Sequence, residues 1–139
     1  MRIALDLDNT LVDELGSTLR PGIIDFLEMI SVNNDLVLWT NSRKSRALEI
    51  INHHKIRKYF SRVIAREDYD PEDTGVLKDT KIMKVDLLID DSPEEININK
   101  DRGLRISSYR KNKPVPSNEL EAIYKEIIKR MKRKTFFFK

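Results

Sequence analysis

Five short apolar runs punctuate this sequence: "RIALDL" at 2–7, "DLVLWT" at 35–40, "RVIA" at 62–65, "DLLID" at 86–90 and "LRIS" at 104–107. They are too short for core helices, and they lack the polar alternation of a strand with one wet face. Strands of this kind are buried on both sides, as in parallel sheets covered by helices. Helical spacing fills the intervals. "LRPGIIDFLEMISVN" repeats Ile23, Phe26, Leu27 and Ile30 on one side, with Pro21 near its first position, where a missing N–H costs nothing. "SRKSRALEIINHHKI" reads as a helix capped by Ser42, and Ser92-Pro93-Glu94-Glu95 opens another, its acids near the positive end of the dipole. A last helix over about 117–133 aligns Leu120, Ile123, Tyr124, Ile127, Ile128 and Met131. The alternation predicts one α/β domain over 1–139, a three-layer α/β/α sandwich with a mostly parallel central sheet.

Three of these runs end in polar residues where a buried strand should not: Asp6 and Asp8, then Thr40, then Asp90 and Asp91. In a parallel sheet all of them converge on one edge, outside the carboxyl ends of the strands, where ligands bind in such folds. Four carboxylates gathered there repel one another and need a cation. The 139-residue chain has no cysteine, so the donors are hard oxygens and the expected ion is Mg²⁺. An aspartate beside Mg²⁺ can act as a nucleophile and become an aspartyl-phosphate. A second carboxylate two residues on can give a proton to the leaving oxygen and later activate water. A threonine hydroxyl and a lysine can hold phosphoryl oxygens as charge shifts.

In their order, "DLDNTLV", "LWTNS", a lysine and "LLIDDSPEE" resemble the four motifs of the haloacid dehalogenase (HAD) superfamily of phosphotransferases, with its Rossmann-like fold. "LRPGIIDFLEMI", "LVLWTNSR", "YFSRVIARED", "VLKD" and "IDDSP" look closer to one branch, the NLI-interacting-factor and small C-terminal-domain phosphatases. The resemblance covers roughly residues 1–108. It implies Asp6 as nucleophile and metal ligand, and Asp8 as general acid/base that also binds the metal through its backbone carbonyl. Thr10 would brace the first loop. Thr40 and the backbone N–H of Asn41 would bind the phosphoryl group, and Asp91 would ligate the metal with Asp90 acting nearby. Lys78 of "VLKD" best matches the motif lysine, with Lys81 and Lys84 as rivals. The stretch between "RED" and "VLKD" is shorter and more acidic than the hairpin usual in that branch.

HAD enzymes for small molecules usually carry an inserted cap. About a dozen residues separate Asp8 from Pro21, and twelve separate Lys78 from Asp90. Neither gap holds a domain of ~50 residues. A capless, open site suits a phosphorylated macromolecule, a phosphoprotein first. Rival readings are a small-metabolite phosphatase, a phosphatase of nucleic-acid ends, and a non-catalytic phosphate-binding regulatory module; Asp8 counts against the last, since a pure binder needs no acid/base.

Charge is unevenly spread. The net charge of +3 divides into +6 on residues 125–139 and −3 on the rest. The basic, aromatic tail at 132–139 reads as a solvated or disordered end; contact with nucleic acid through it is the less favoured reading. His53 and His54, late in a helix, read as solvent-facing or as taking a helix-end role, Trp39 as core, and the acidic loop 66–75 as solvated. No run of ~18 apolar residues offers a membrane span, and Asp6 and Asp8 interrupt any signal-peptide core. These features predict a cytoplasmic protein without a membrane partner; oligomeric state is left open.

Overall fold

A computed structural model describes residues 1–137, with side chains through Lys134. Five strands, β1 (Arg2–Leu5), β2 (Asp35–Trp39), β3 (Arg62–Ile64), β4 (Leu87–Asp90) and β5 (Gly103–Arg105), form one sheet in the order β3-β2-β1-β4-β5. Every pairing is parallel. Among the described residues six α-helices accompany it: α1 (Ile23–Ser31), α2 (Lys44–His53), α3 (Arg66–Tyr69), α4 (Thr80–Met83), α5 (Pro93–Asn99) and α6 (Glu119–Phe137). The expected α/β architecture is therefore present, with an entirely parallel sheet and no inserted domain after β1 or before β4.

The register sorts side chains by face. Ile3 pairs with Leu36 and Leu87, and Leu5 with Leu38 and Ile89. These residues point into the larger core, against Ile23, Phe26 and Leu27 of α1, Ile51 of α2 and Ile127 of α6. Ala4, Val37, Trp39 and Leu88 point the other way, beneath Tyr69 of α3 and Met83 of α4. Trp39 meets Tyr69 edge to face at 5.6 Å. Burial of each large apolar side chain contributes roughly 1.5–3 kcal/mol, so sheet and helices hold each other in place. β5 packs closely on α5 at Gly103, where a Cβ would stand 2.9 Å from the Ile96 carbonyl oxygen.

Several boundaries differ from the sequence reading. α1 begins at Ile23, not at Pro21, because Gly22 adopts a left-handed conformation (φ 79°) that the helix cannot include. Ser42 does not cap α2; the first N–H of that helix, on Lys44, donates to the Glu67 carboxylate at 2.9 Å. The loop 66–75 opens with the short α3. Ser92 does cap α5, with Pro93 in its first turn. α6 runs on through Phe137, past the expected end. The remainder of the proposed tail, 138–139, and the side chains from Thr135 onward lie outside the described residues.

The chain builds β1, β2 and β3 outward in one direction, then returns to add β4 and β5 on the other side of β1. The strand order thus reverses between β1 and β4. A crevice opens outside the carboxyl ends of the strands at such a reversal.

Candidate active site

Asp6 follows β1 directly, and its N–H donates to the Ile89 carbonyl of β4 at 3.0 Å. That bond fixes the Asp6 backbone at the crevice. The chain then turns sharply: Asn9 takes a left-handed conformation (φ 64°), and the N–H groups of Thr10, Leu11 and Val12 all donate to the Leu7 carbonyl. The turn brings the Thr10 hydroxyl back to Asp6 Oδ2 at 3.1 Å and toward Asp91 Oδ1 at 3.4 Å.

Oxygens of Asp6, Asp90 and Asp91 lie within 4.8 Å of one another. The Lys78 ammonium sits between two of these groups, donating to Asp90 Oδ2 at 2.7 Å and Asp6 Oδ1 at 3.0 Å. Asp90 also accepts from the Ser92 N–H at 3.0 Å. Lys78 is buried, whereas Lys81 and Lys84 are exposed and do not line the crevice. Burial and the negative charges of Asp90 and Asp91 push the Asp6 carboxyl well above the usual range, although Lys78 pulls it down. Burial also works against the Lys78 ammonium, but Asp6 and Asp90 outweigh it and hold the group charged.

Three carboxylates against one ammonium leave an excess of negative charge in a confined space. The donor set is all oxygen, which fits a hard divalent cation such as Mg²⁺. Within the described residues this is the group of acids and histidines close enough to share an ion. Asp6, Asp90 and Asp91 are the side chains that could hold it.

The opposite wall comes from β2. Thr40, almost fully buried, accepts the Ser42 N–H at 3.0 Å, and Asn41 and Ser42 line the crevice beside it. The open pocket between the walls has a volume of about 380 Å³. Asp8 also lines it but stands outside the acidic trio: both of its oxygens accept from Arg46 of α2 at 2.9 Å. The structure therefore gathers Asp6, Thr10, Thr40, Asn41, Lys78, Asp90 and Asp91, and holds the Asp8 carboxylate toward α2.

Other side chains at the crevice carry no signal in the sequence. Arg46 sits one helical turn beyond Ser42, but an arginine on an amphipathic helix reads as solvated. Arg66 lines the mouth and donates to the Asn41 carbonyl at 2.9 Å. Glu95 accepts the Lys78 N–H at 2.7 Å, and burial pushes its carboxyl up. Arg43 is exposed and does not line the crevice. Asp68 and Asp70 bind local backbone N–H groups in the acidic segment. His54 reaches the Gly16 carbonyl at 2.9 Å. Lys134 pairs with Asp86, just before β4, so the basic end of α6 lies at the sheet edge opposite the crevice. Among the described residues no helix is long and apolar enough to cross a membrane.

Comparison with solved structures finds the same fold. A variant of the fission yeast RNA polymerase II CTD phosphatase Fcp1, bound to beryllium fluoride, superposes with a TM-score of 0.63 at 18% identity, covering 95% of this chain and 50% of that one. A second structure of Fcp1, an RNA polymerase II CTD phosphatase, gives 0.59 at 19% identity, with 95% and 49% covered. A candidate beta-phosphoglucomutase from Thermotoga maritima gives 0.65 at 12% identity, with 89% and 98% covered. At these identities the likeness is one of fold, and the chain spans about half the length of the Fcp1 chains. No curated protein matches significantly. The model of the NLI interacting factor-like phosphatases matches residues 2–137, nearly the whole chain, and the protein belongs to that family.

Proposed function

We propose that this protein is a capless, Mg²⁺-dependent phosphomonoester phosphatase that acts through an aspartyl-phosphate on Asp6, with a phosphoprotein as substrate. The observation that carries the reading is the buried Asp6 beside Lys78, facing Asp90 and Asp91 at the strand-order reversal. Asp6, Asp91 and the backbone carbonyl of Asp8 would hold the ion, with Asp90 orienting Lys78. Bound there, Mg²⁺ would offset the carboxylate charge and polarise the phosphoryl oxygens.

The chain's own groups divide the work. Thr40, the Asn41 N–H and Lys78 bind the phosphoryl oxygens and orient phosphorus toward Asp6. Asp6 forms the new O–P bond while the bond to the leaving oxygen breaks, and Asp8 gives that oxygen its proton. In the second step Asp8 takes a proton from water as the water oxygen bonds to phosphorus and the Asp6–phosphorus bond breaks. Free phosphate and the Asp6 carboxylate result. Thr10 holds the Asp6 carboxylate in line.

Two features favour a macromolecular substrate. No cap closes the pocket, and the Fcp1 structures of the same fold belong to a phosphatase of the RNA polymerase II CTD. The remoteness of the basic end of α6 from the crevice weakens the nucleic-acid-end alternative. A cytoplasmic setting suits the cysteine-free chain. The test is a Mg²⁺-dependent panel of phosphopeptides, nucleotides, sugar phosphates and phosphorylated DNA ends, with Asp6→Asn as control. Turnover should be greatest on phosphopeptides and absent in Asp6→Asn. Preference for a sugar phosphate or a nucleotide would overturn the substrate class, and turnover surviving in Asp6→Asn would overturn the covalent route.

A further inference from the structure

Asp8 is the one carboxylate of the crevice tied to neither Lys78 nor the acidic trio, and its partners form a closed triangle. Arg46 donates from Nη1 to Oδ2 and from Nη2 to Oδ1, each at 2.9 Å. Ser42 Oγ donates to Oδ2 at 3.0 Å and accepts from Arg46 Nη1 at 2.7 Å. A lone half-exposed ion pair would carry little weight. A bidentate guanidinium pair is different, because it fixes the plane and the direction of the carboxylate. Ser42 extends the connection: its N–H donates to the Thr40 hydroxyl at 3.0 Å. One residue therefore joins the threonine of the phosphoryl wall to the group that faces the leaving oxygen.

We propose that Arg46, acting with Ser42, is a positioning residue that holds the Asp8 carboxyl where the leaving-group oxygen arrives. This rests on the reading of Asp8 as the proton-transfer group. Arg46 touches no reacting atom. Arg46 and Ser42 fix the plane of Asp8, and one carboxyl oxygen, released from its Arg46 N–H, carries the proton that passes to the leaving oxygen as the leaving O–P bond breaks and the Asp6 O–P bond forms. Proton delivery matters most for a poor leaving group, such as the alkoxide of a phosphorylated serine. It matters little for nitrophenolate, which departs unaided. Misdirection of Asp8 should accordingly appear as a change in leaving-group preference.

The experiment compares kcat/KM for a phosphoserine peptide and for nitrophenyl phosphate in wild type, Arg46→Ala and Arg46→Lys, since kcat/KM reports only the steps through loss of the leaving group. In Arg46→Ala the peptide should lose at least tenfold more than nitrophenyl phosphate, with an unchanged thermal midpoint. Arg46→Lys, which keeps the charge but not the fork, should recover part of the peptide activity, and added guanidinium ion should recover part in Arg46→Ala. In an Asp8→Asn background Arg46→Ala should cause no further selective loss, because the pair acts as a unit. Equal losses on both substrates, or none, would overturn the proposal while leaving the phosphatase reading intact. A wild-type protein inactive on both substrates would overturn the two together.

Discussion

Arg20 Nη1 lies 3.3 Å from Glu119 Oε1, joining the loop behind the candidate active site to the first turn of α6. The arginine side chain is 1% exposed, and its other donors serve backbone carbonyls: Nε to Thr10 at 2.6 Å, and Nη2 to Asn9 and Ser107. Glu119 in turn accepts the Ser107 N–H and hydroxyl. The turn carrying Thr10 thus depends on a helix a hundred residues away in sequence. Arg20→Ala should strand these carbonyls and an ionised partner, destabilising the protein by about 2–4 kcal/mol. Urea unfolding measures the loss; a change within ~0.5 kcal/mol would mean that the buried guanidinium is dispensable.

Lys78 offers a sharper test of the site itself. Its ammonium is the buried cation between Asp6 and Asp90. Lys78→Met keeps much of the volume and removes the charge. Turnover of nitrophenyl phosphate should fall by about 10²–10³, the usual cost of removing one preorganised group that stabilises developing charge. Lys81→Met, on the exposed face of α4, should leave the rate within about twofold of wild type. Equal loss in both variants would assign the lysine role wrongly.

That distinction marks how far the sequence was legible. The strands and their polar ends could be read because buried parallel strands are uniformly apolar, so Asp6, Thr40 and Asp90 stand out by contrast. The "VLKD" context favours Lys78 but leaves Lys81 and Lys84 as rivals, and the packing that buries Lys78 against β1 and β4 tells them apart. Arg46 and Arg20 were invisible for a related reason: their partners are remote in sequence, and a charged side chain defaults to solvent. Ser42 has the residue type and position of a cap, but its hydroxyl donates to Asp8 and Glu67 accepts the N–H at the helix end. Gly22 shortened α1 through a backbone conformation that hydrophobic spacing does not record.

Metal binding should be visible without any turnover. The trio of Asp6, Asp90 and Asp91 carries more negative charge than Lys78 balances. A bound divalent ion should therefore stabilise the fold, by about 2.7 kcal/mol when the ion is present at a hundred times its dissociation constant. Differential scanning calorimetry should record a higher thermal midpoint with Mg²⁺ than with chelator, and Asp91→Asn should remove most of the gain. An identical midpoint with and without Mg²⁺ would argue that Lys78 alone satisfies the cluster.

Asp13 supplies a prediction about acid stability away from the reacting groups. Its carboxylate is buried and accepts the N–H and hydroxyl of both Ser17 and Thr18, at 2.7 to 3.4 Å. Burial opposes the charge, but these bonds outweigh it and lower the group to about 2. The folded state therefore binds this proton less readily than the unfolded chain does. The resulting stability is complete above the ordinary aspartate range and drains away as pH falls toward the folded value. Asp13→Asn should cost roughly 1–2 kcal/mol at neutral pH. The gap between wild type and variant should narrow between about pH 4 and pH 2, because the wild-type carboxyl becomes neutral there too. Paired urea titrations across that range test the sign directly: a gap that stays constant, or widens in acid, would mean that the four donors do not favour the charged carboxylate.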